Sequence, residues 1–336
     1  MQYSLGFGLF ICLCSIPSAS TTTRGSFLAT RNATRIRWLS QCDSSIHSTA
    51  CCGAWSLRVQ RHFALLSEQF KAAHWPYWYE LPSNTTRAYD LHEPTWNCEV
   101  KERVPPSFGD GPKHVCGVDA IKKRTQCLVY SFGSNGVVDF ETAIKARLPN
   151  CEIHTFDPFI HLASREHKLR QVTNAQQRSI LTYHNLGLVG DGQKLSFKNE
   201  MLPSATFNET LQTLRHERRT VDILKVDIEG SEYSALGDRS LFGGCMRADH
   251  HHRTQIPVRQ LQVEVHGQNF TRIFRLVEQM HACGLALFSK ESNHWGCDGY
   301  RCVELSFISP EHAWEAYKLS HPSCDDPYAA VGGRRV

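Results

Sequence analysis

Two glycines and a distant acid carry the first chemical suggestion in this chain. In Cys127-Leu-Val-Tyr-Ser-Phe-Gly-Ser-Asn-Gly-Val-Val-Asp-Phe-Glu141, a buried-strand pattern runs into a turn holding Gly133 and Gly136, which opens a helix. The next strand pattern ends at Asp157, 24 residues after Gly133. Such a turn brings backbone close to a nucleotide-like ligand, and an acid about 20 residues on can bind ribose hydroxyls. The turn has two glycines, not the three that hold a pyrophosphate, so a ligand with ribose and no phosphate fits better. S-adenosylmethionine is such a ligand, with Phe132, Gly133, Ser134 and Gly136 around its amino-acid part and Asp157 at its ribose. A plain tight turn and an Asp-Pro turn initiator are the alternative readings of these residues.

Two more segments place titratable groups at strand ends. In Val221-Asp-Ile-Leu-Lys-Val-Asp-Ile-Glu-Gly-Ser-Glu232, three acids crowd together and Gly230 permits a sharp turn. Glu232 is explained by the dipole of the helix it opens. Asp227 and Glu229 are candidates to grip a sulfonium cofactor or to receive a substrate proton. In Gln262-Val-Glu-Val-His-Gly267, Glu264 and His266 share a strand face. His266 has the ordinary pKa range of a general base; a hydrogen-bonded structural histidine is the alternative. The run Asp249-His-His-His252 reads as a solvated loop, because adjacent side chains diverge, and no Cys-x-x-Cys pair exists, so no metal site is expected. There is no Gly-x-Ser-x-Gly elbow and no P-loop, which removes the common hydrolase and NTPase readings.

The elements that must position these groups alternate from about Lys122 onward. Strands are expected over Cys127–Phe132, Glu152–Phe156, Ser179–Leu188, Val221–Asp227, Gln260–His266, Leu285–Ser289 and Tyr300–Ile308. Helices are expected over Phe140–Arg147, Ser231–Leu236 and Phe270–Cys283. This pattern implies an α/β, Rossmann-like fold of the class I methyltransferase type, a seven-stranded, mostly parallel sheet with an antiparallel last strand. Ahead of it, apolar residues at Val59, Phe63, Leu66, Phe70 and Ala73 predict an amphipathic helix from Ser56 to Trp75. The cluster Trp75-Pro-Tyr-Trp-Tyr79 follows it. The expected organisation is a signal peptide over 1–20, a disordered stem over 21–55, and a helical, disulfide-held extension over 56–121. The main domain spans 122–310, with an irregular tail over 311–336 that Cys324 ties down.

Compartment is read from the leader, the sequons and the cysteines. The apolar run Leu5 to Cys14, followed by small residues, is too short to span a bilayer and resembles a signal peptide; an uncleaved anchor is the alternative. Sequons stand at Asn32, Asn84, Asn208 and Asn269. Of 14 cysteines, the leader takes Cys12 and Cys14, leaving an even set suited to disulfides in an oxidising compartment. Cys297 and Cys302 flank an Asp298-Gly299 turn and could bridge locally. A net charge of +4 without any Lys/Arg block argues against nucleic acid as partner.

The glycine-turn segment, Asp110-Gly-Pro-Lys-His-Val-Cys116, Leu224-Lys-Val-Asp-Ile-Glu-Gly-Ser-Glu232 and Gly299-Tyr-Arg-Cys-Val-Glu-Leu-Ser-Phe307 together resemble the methyltransferase-like protein 24 family. That family is related to the FkbM-type methyltransferases, whose Lys-x-Asp-x-Glu-Gly-x-Glu run looks like Lys225 to Glu232. The resemblance covers about residues 95 to 310. It implies a domain that binds S-adenosylmethionine through Gly133, Gly136, Asp157 and Asp227. FkbM relatives act as O-methyltransferases, often on sugar or small-molecule hydroxyls. The substrate itself does not carry over, and the acceptor expected here is a hydroxyl or carboxyl of a glycan or small molecule. Ser-Phe-Gly-Ser-Asn-Gly departs from the family's acid-plus-glycine loop. The expectation is therefore a secretory-pathway methyltransferase. The alternative is a secreted binding protein on an inactive scaffold, and a nicotinamide-dependent oxidoreductase is disfavoured by the absent third glycine.

Overall fold

A computed structural model describes residues 32–73, 87–159, 181–237, 240, 242, 245 and 256–325. The leader, the Trp75 to Tyr79 cluster, the His250 to His252 run and residues 326–336 lie outside them. The seven-stranded sheet is built from β3 (Cys127–Phe132), β4 (Cys151–Phe156), β5 (Thr182–His184), β10 (Ile223–Val226), β11 (Gln260–His266), β12 (Ala286–Ser292) and β13 (Cys302–Ile308). Their spatial order is β12-β13-β11-β10-β3-β4-β5. All neighbours from β11 to β5 pair parallel, while β13 runs antiparallel to both β11 and β12. This is the Rossmann-like arrangement with an antiparallel last strand. The order reverses direction between β3 and β10, so a crevice opens there at the strands' carboxyl ends.

Burial explains which segments became strands. β3 and β10 are buried along their whole length, as strands covered on both faces must be. Phe132 of β3 stacks on Phe156 of β4 with ring centroids 4.3 Å apart, inside the main core. The expected strand Ser179–Leu188 divides instead. Leu186 N–H bonds back to His184 O, the chain leaves the sheet, and β6 (Gly187–Leu188) pairs with β9 (Ser204–Ala205). A hairpin of β7 (Leu195–Phe197) and β8 (Glu200–Leu202) lies between them.

Three corrections concern the ends of the chain. Residues 32–39 form a helix, α1, and α2 runs over Thr49–Ala73, starting seven residues ahead of the expected Ser56. The stem expected over 21–55 is therefore folded from residue 32. Trp38 is fully buried, donates its indole N–H to Gly284 O at 3.0 Å and lies 4.6 Å from the Trp96 ring. Trp55 donates to Trp38 O at 2.8 Å and meets Trp314 edge-on. At the other end the expected irregular tail is helical over Pro310–Ser320, with Ser309 accepting His312 N–H as N-cap and Pro310 opening the first turn. Cys324 does tie this end down, through a disulfide to Cys51.

The remaining extension is a hairpin of β1 (Lys101–Val104) and β2 (Lys113–Cys116), followed by the short α3 (Val118–Lys122). The helices α4 (Asp139–Arg147), α5 (Phe207–Thr213), α6 (Glu232–Ala235), α7 (Phe270–Ala282) and α8 (Pro310–Ser320) complete the chain. Six disulfides join all twelve cysteines after Cys14, including the local Cys297–Cys302 pair. No helix among the described residues is long and apolar enough to cross a membrane.

A buried tryptophan truncated to alanine costs about 3–5 kcal/mol. Trp38→Ala should lose that much in denaturant unfolding of the disulfide-intact protein. An unchanged midpoint would return residues 32–39 to a stem.

Candidate active site

The glycine turn is dictated by a close approach. Gly133 has φ 79°, and a Cβ there would lie 1.6 Å from Asp227 O. Only glycine lets the ends of β3 and β10 come this close. Lys225 Nζ donates to Gly133 O at 2.8 Å, so the lysine of the Lys-x-Asp-x-Glu-Gly-x-Glu run fastens the turn from β10. Asp157 fastens it from β4. Its Oδ2 accepts the backbone N–H of Ser134 at 3.0 Å and of Asn135 at 2.6 Å, and its Oδ1 accepts Phe159 N–H at 2.8 Å. Gly136, at φ 75°, donates to Ser134 Oγ and closes the turn.

The turn borders a cleft of about 490 Å³ at the strand-order reversal. Gly133, Ser134, Asp157, Asp227, Glu229 and His266 all line it. Gly136 shapes the turn without lining the cleft. Phe132 is a correction: its side chain points into the core against Phe156, because alternation along β3 turns it away from the opening. Phe132 serves the site through its carbonyl, which accepts Asp227 N–H at 3.0 Å.

The acids of the β10 end are individually placed. Asp227 faces Lys113 Nζ at 3.3 Å and Lys225 Nζ at 3.9 Å. Burial opposes its charge, yet Lys113, Lys225 and His266 hold its carboxyl below the usual range. Glu229 sits at φ 55° at the exposed mouth of the cleft, 3.6 Å from His266 Nε2. Lost hydration raises its carboxyl above the usual range, Asp227 and Glu264 add to this, and His266 opposes it. Glu232 does more than complement a four-residue helix. Fully buried, its Oε1 accepts Ile228 N–H at 3.0 Å and Gly230 N–H at 3.2 Å, and meets His266 Nδ1 at 3.0 Å.

That contact bears on the expected role of His266 as general base. Burial favours the neutral ring, but the Glu232 hydrogen bond and charge, with Glu264 and Asp227, raise its pKa to about 9. The imidazolium form is thereby favoured at neutral pH, which suits His266 poorly to the role of proton acceptor.

Two residues of the site were not singled out from sequence. Lys113 of β2 is buried beneath the cleft, where its ammonium meets Asp227, Glu264 and Glu304. The motif Asp110 to Cys116 contained it, but nothing local announced carboxylate partners more than a hundred residues away. Glu141, in the first turn of α4, is fully buried and lines the cleft. Its Oε1 accepts Ser131 Oγ–H, while its Oε2 has no hydrogen-bond partner among the described residues. It closes the glycine-turn segment, beyond the loop in which the family's acid stands.

A family model described as a methyltransferase domain matches residues 53–309. The chain belongs to that methyltransferase-domain family. Among curated proteins, nothing matches it. The FkbM methyltransferase of Methylobacillus flagellatus KT is 14% identical, with a TM-score of 0.35 over 84% of this chain and 58% of that one. This methyltransferase domain protein thus spans less than two thirds of the FkbM chain. The N-terminal domain of human METTL16, solved with SAH, is 11% identical, with a TM-score of 0.30 over 55% and 62% of the two chains. A SAM-dependent methyltransferase from Agrobacterium tumefaciens is 11% identical, with a TM-score of 0.32 over 63% and 70%. Likenesses this distant carry no weight for the chemistry of the methyltransferase domain.

A folded-state pKa above the ordinary histidine value means that His266 stabilises the fold fully below about pH 6.5. That contribution fades as pH rises through about 9. Proton NMR of the ring should give a midpoint near 9, moved sharply down in Glu232→Gln. A midpoint at or below the ordinary value would refute the charged pair.

Proposed function

We propose that the chain is an S-adenosylmethionine-dependent methyltransferase of the secretory pathway, acting on a hydroxyl or carboxyl of a glycan or small molecule. The observation that carries this reading is the cleft at the strand reversal. A glycine turn forms its floor where β3 and β10 approach too closely for a Cβ at Gly133, and a buried carboxylate oxygen of Glu141 stands unpartnered in its wall. These residues fit the cofactor. Gly133 and Ser134 would run beneath its amino-acid part, Glu141 would receive its ammonium group, and Asp157 retains acceptor capacity toward the ribose beyond the turn amides. The charge balance favours the same ligand class. Asp157, Asp227, Glu229, Glu264 and Glu141 outnumber Lys225 and His266 in the lining. A surplus of acid suits a sulfonium and repels a diphosphate, which disfavours a nicotinamide dinucleotide.

When bound, S-adenosylmethionine supplies a methyl group already activated on sulfonium. The chain's contribution is therefore mainly to hold and orient an acceptor beside it. A poorly acidic hydroxyl also needs a proton acceptor, and Glu229 at the cleft mouth, with its raised pKa, suits that task. His266, as a cation 3.6 Å away, would position the Glu229 carboxylate. The methyltransferase-like protein 24 resemblance supports this assignment. Six disulfides and the Asn-x-Thr sequons support the secretory compartment.

Calorimetric titration with S-adenosylhomocysteine tests the cofactor assignment. Saturable binding is expected, and Glu141→Gln should weaken it by about 1.5–3 kcal/mol, roughly 10- to 100-fold, as a charge-assisted hydrogen bond is lost. No binding by the folded wild-type protein would instead favour a binding protein on an inactive scaffold. Under the proposed roles, Glu229→Gln should lower turnover on a hydroxyl acceptor while leaving cofactor affinity unchanged; unchanged turnover would remove it as the base.

A further inference from the structure

A second set of metal-ligating side chains lies away from the cleft, and none of them lines it. Glu152 and His154 stand two residues apart on β4 and share one face of the sheet. His216 comes from the loop that follows α5. One ligand atom of each residue lies within 4.8 Å of the other two, and Glu152 Oε1 is 2.7 Å from His154 Nε2 and 3.6 Å from His216 Nε2. A tetrahedral zinc ion bound at about 2.0–2.2 Å holds neighbouring ligand atoms about 3.3 Å apart. The two separations from the carboxylate bracket that spacing.

The outer contacts match what bound imidazoles require. His216 Nδ1 is 2.6 Å from Tyr130 Oη, and His154 Nδ1 is 2.8 Å from His184 Nε2. Metal-bound histidines use the second ring nitrogen in this way, which fixes tautomer and orientation. The space between Glu152 and His216 already attracts a cation. Arg219 Nη1 donates to His216 Nε2 at 3.0 Å and also to Glu152 Oε2. The nitrogen facing the carboxylate therefore presents a lone pair. The Arg219 side chain is 28% exposed and can turn outward.

We propose that Glu152, His154 and His216 form a zinc site that ties β4 to the loop after α5, with Arg219 as the internal cation that the metal displaces. Binding requires both rings to change tautomer: the His154 proton moves from Nε2, where it faces Glu152, to Nδ1, and the His184 proton moves from Nε2 to Nδ1, so that His184 Nε2 accepts the His154 Nδ1–H. The fourth position is left to water.

The test uses the full chain, disulfides intact, with His250, His251 and His252 replaced by alanine to remove the histidine run as a competing ligand. Titration with ZnCl2 is followed by calorimetry, and Co2+ absorption reports coordination geometry. One ion per chain is expected, with binding lost in His216→Ala and severalfold tighter in Arg219→Ala. Zinc should also raise the melting temperature of Arg219→Ala, because an ion bound only by the folded state stabilises it. Arg219→Ala keeps all three ligands, so it remains informative if His216→Ala fails to fold. A folded Arg219→Ala protein that takes up no zinc would overturn the site. So would binding that survives in His216→Ala, or binding lost in His266→Ala, which would place the ion in the cleft.

Discussion

The buried ammonium of Lys113 is the interaction on which the rest of the site depends. Asp227, Glu264 and Glu304 project from β10, β11 and β13, three strands of one sheet, and converge on that single group. Without it, three carboxylates would crowd a poorly hydrated space. Burial by itself would discharge the lysine, but Glu304, Asp227 and Glu264 hold it charged, well above its usual range. Burial and neighbouring Glu264 push the Glu304 carboxyl above the usual range, against the pull of Lys113. A buried ion set of this kind is costly unless every partner is present. Lys113 stands on β2, outside the sheet, and docking of the N-terminal hairpin thus completes the charge balance of the cleft. Gln260 exchanges two hydrogen bonds with the Cys116 backbone at 2.8 and 2.9 Å and holds the hairpin in register.

The remaining charges follow from that anchor. Lys113 holds Asp227 ionised, and the Asp227 backbone presses on Gly133, so the ionic cluster and the glycine turn are two ends of one contact. Lys225 spans the same junction from the side. Glu232 organises the backbone of Ile228 and Gly230, and through His266 it carries positive charge to the base of Glu229. Each charged residue of the Lys225 to Glu232 run therefore has a separate mechanical or electrostatic task.

Much of this was legible in the sequence because it is local. Uninterrupted apolar strands, a glycine turn and an acid-rich strand end are patterns within a dozen residues, and a mostly parallel sheet follows from their alternation with helices. What escaped was carried by distant pairings or by composition. The Ser, Thr and Arg content of residues 21–55 masked Trp38, which folds only because Trp55, Trp96 and Gly284 receive it. The Ser309-Pro310-Glu311 start signal was present but passed over in an expected tail. Glu141 was missed because it stands in a helix and not in the loop before it. The environment of His266 was hidden because Glu232, which raises its pKa, stands 34 residues away. The Glu152, His154 and His216 group is invisible at sequence level, since β4 and the loop after α5 meet only in the folded sheet.

The most direct test of the central claim is a crystal structure of the glycosylated, disulfide-bonded protein grown with saturating S-adenosylhomocysteine. The account predicts ligand density in the cleft bordered by Gly133 and Asp227, with the amino group against Glu141 and the ribose toward Asp157. Ligand density elsewhere on the molecule, or none in that cleft at saturation, would contradict it.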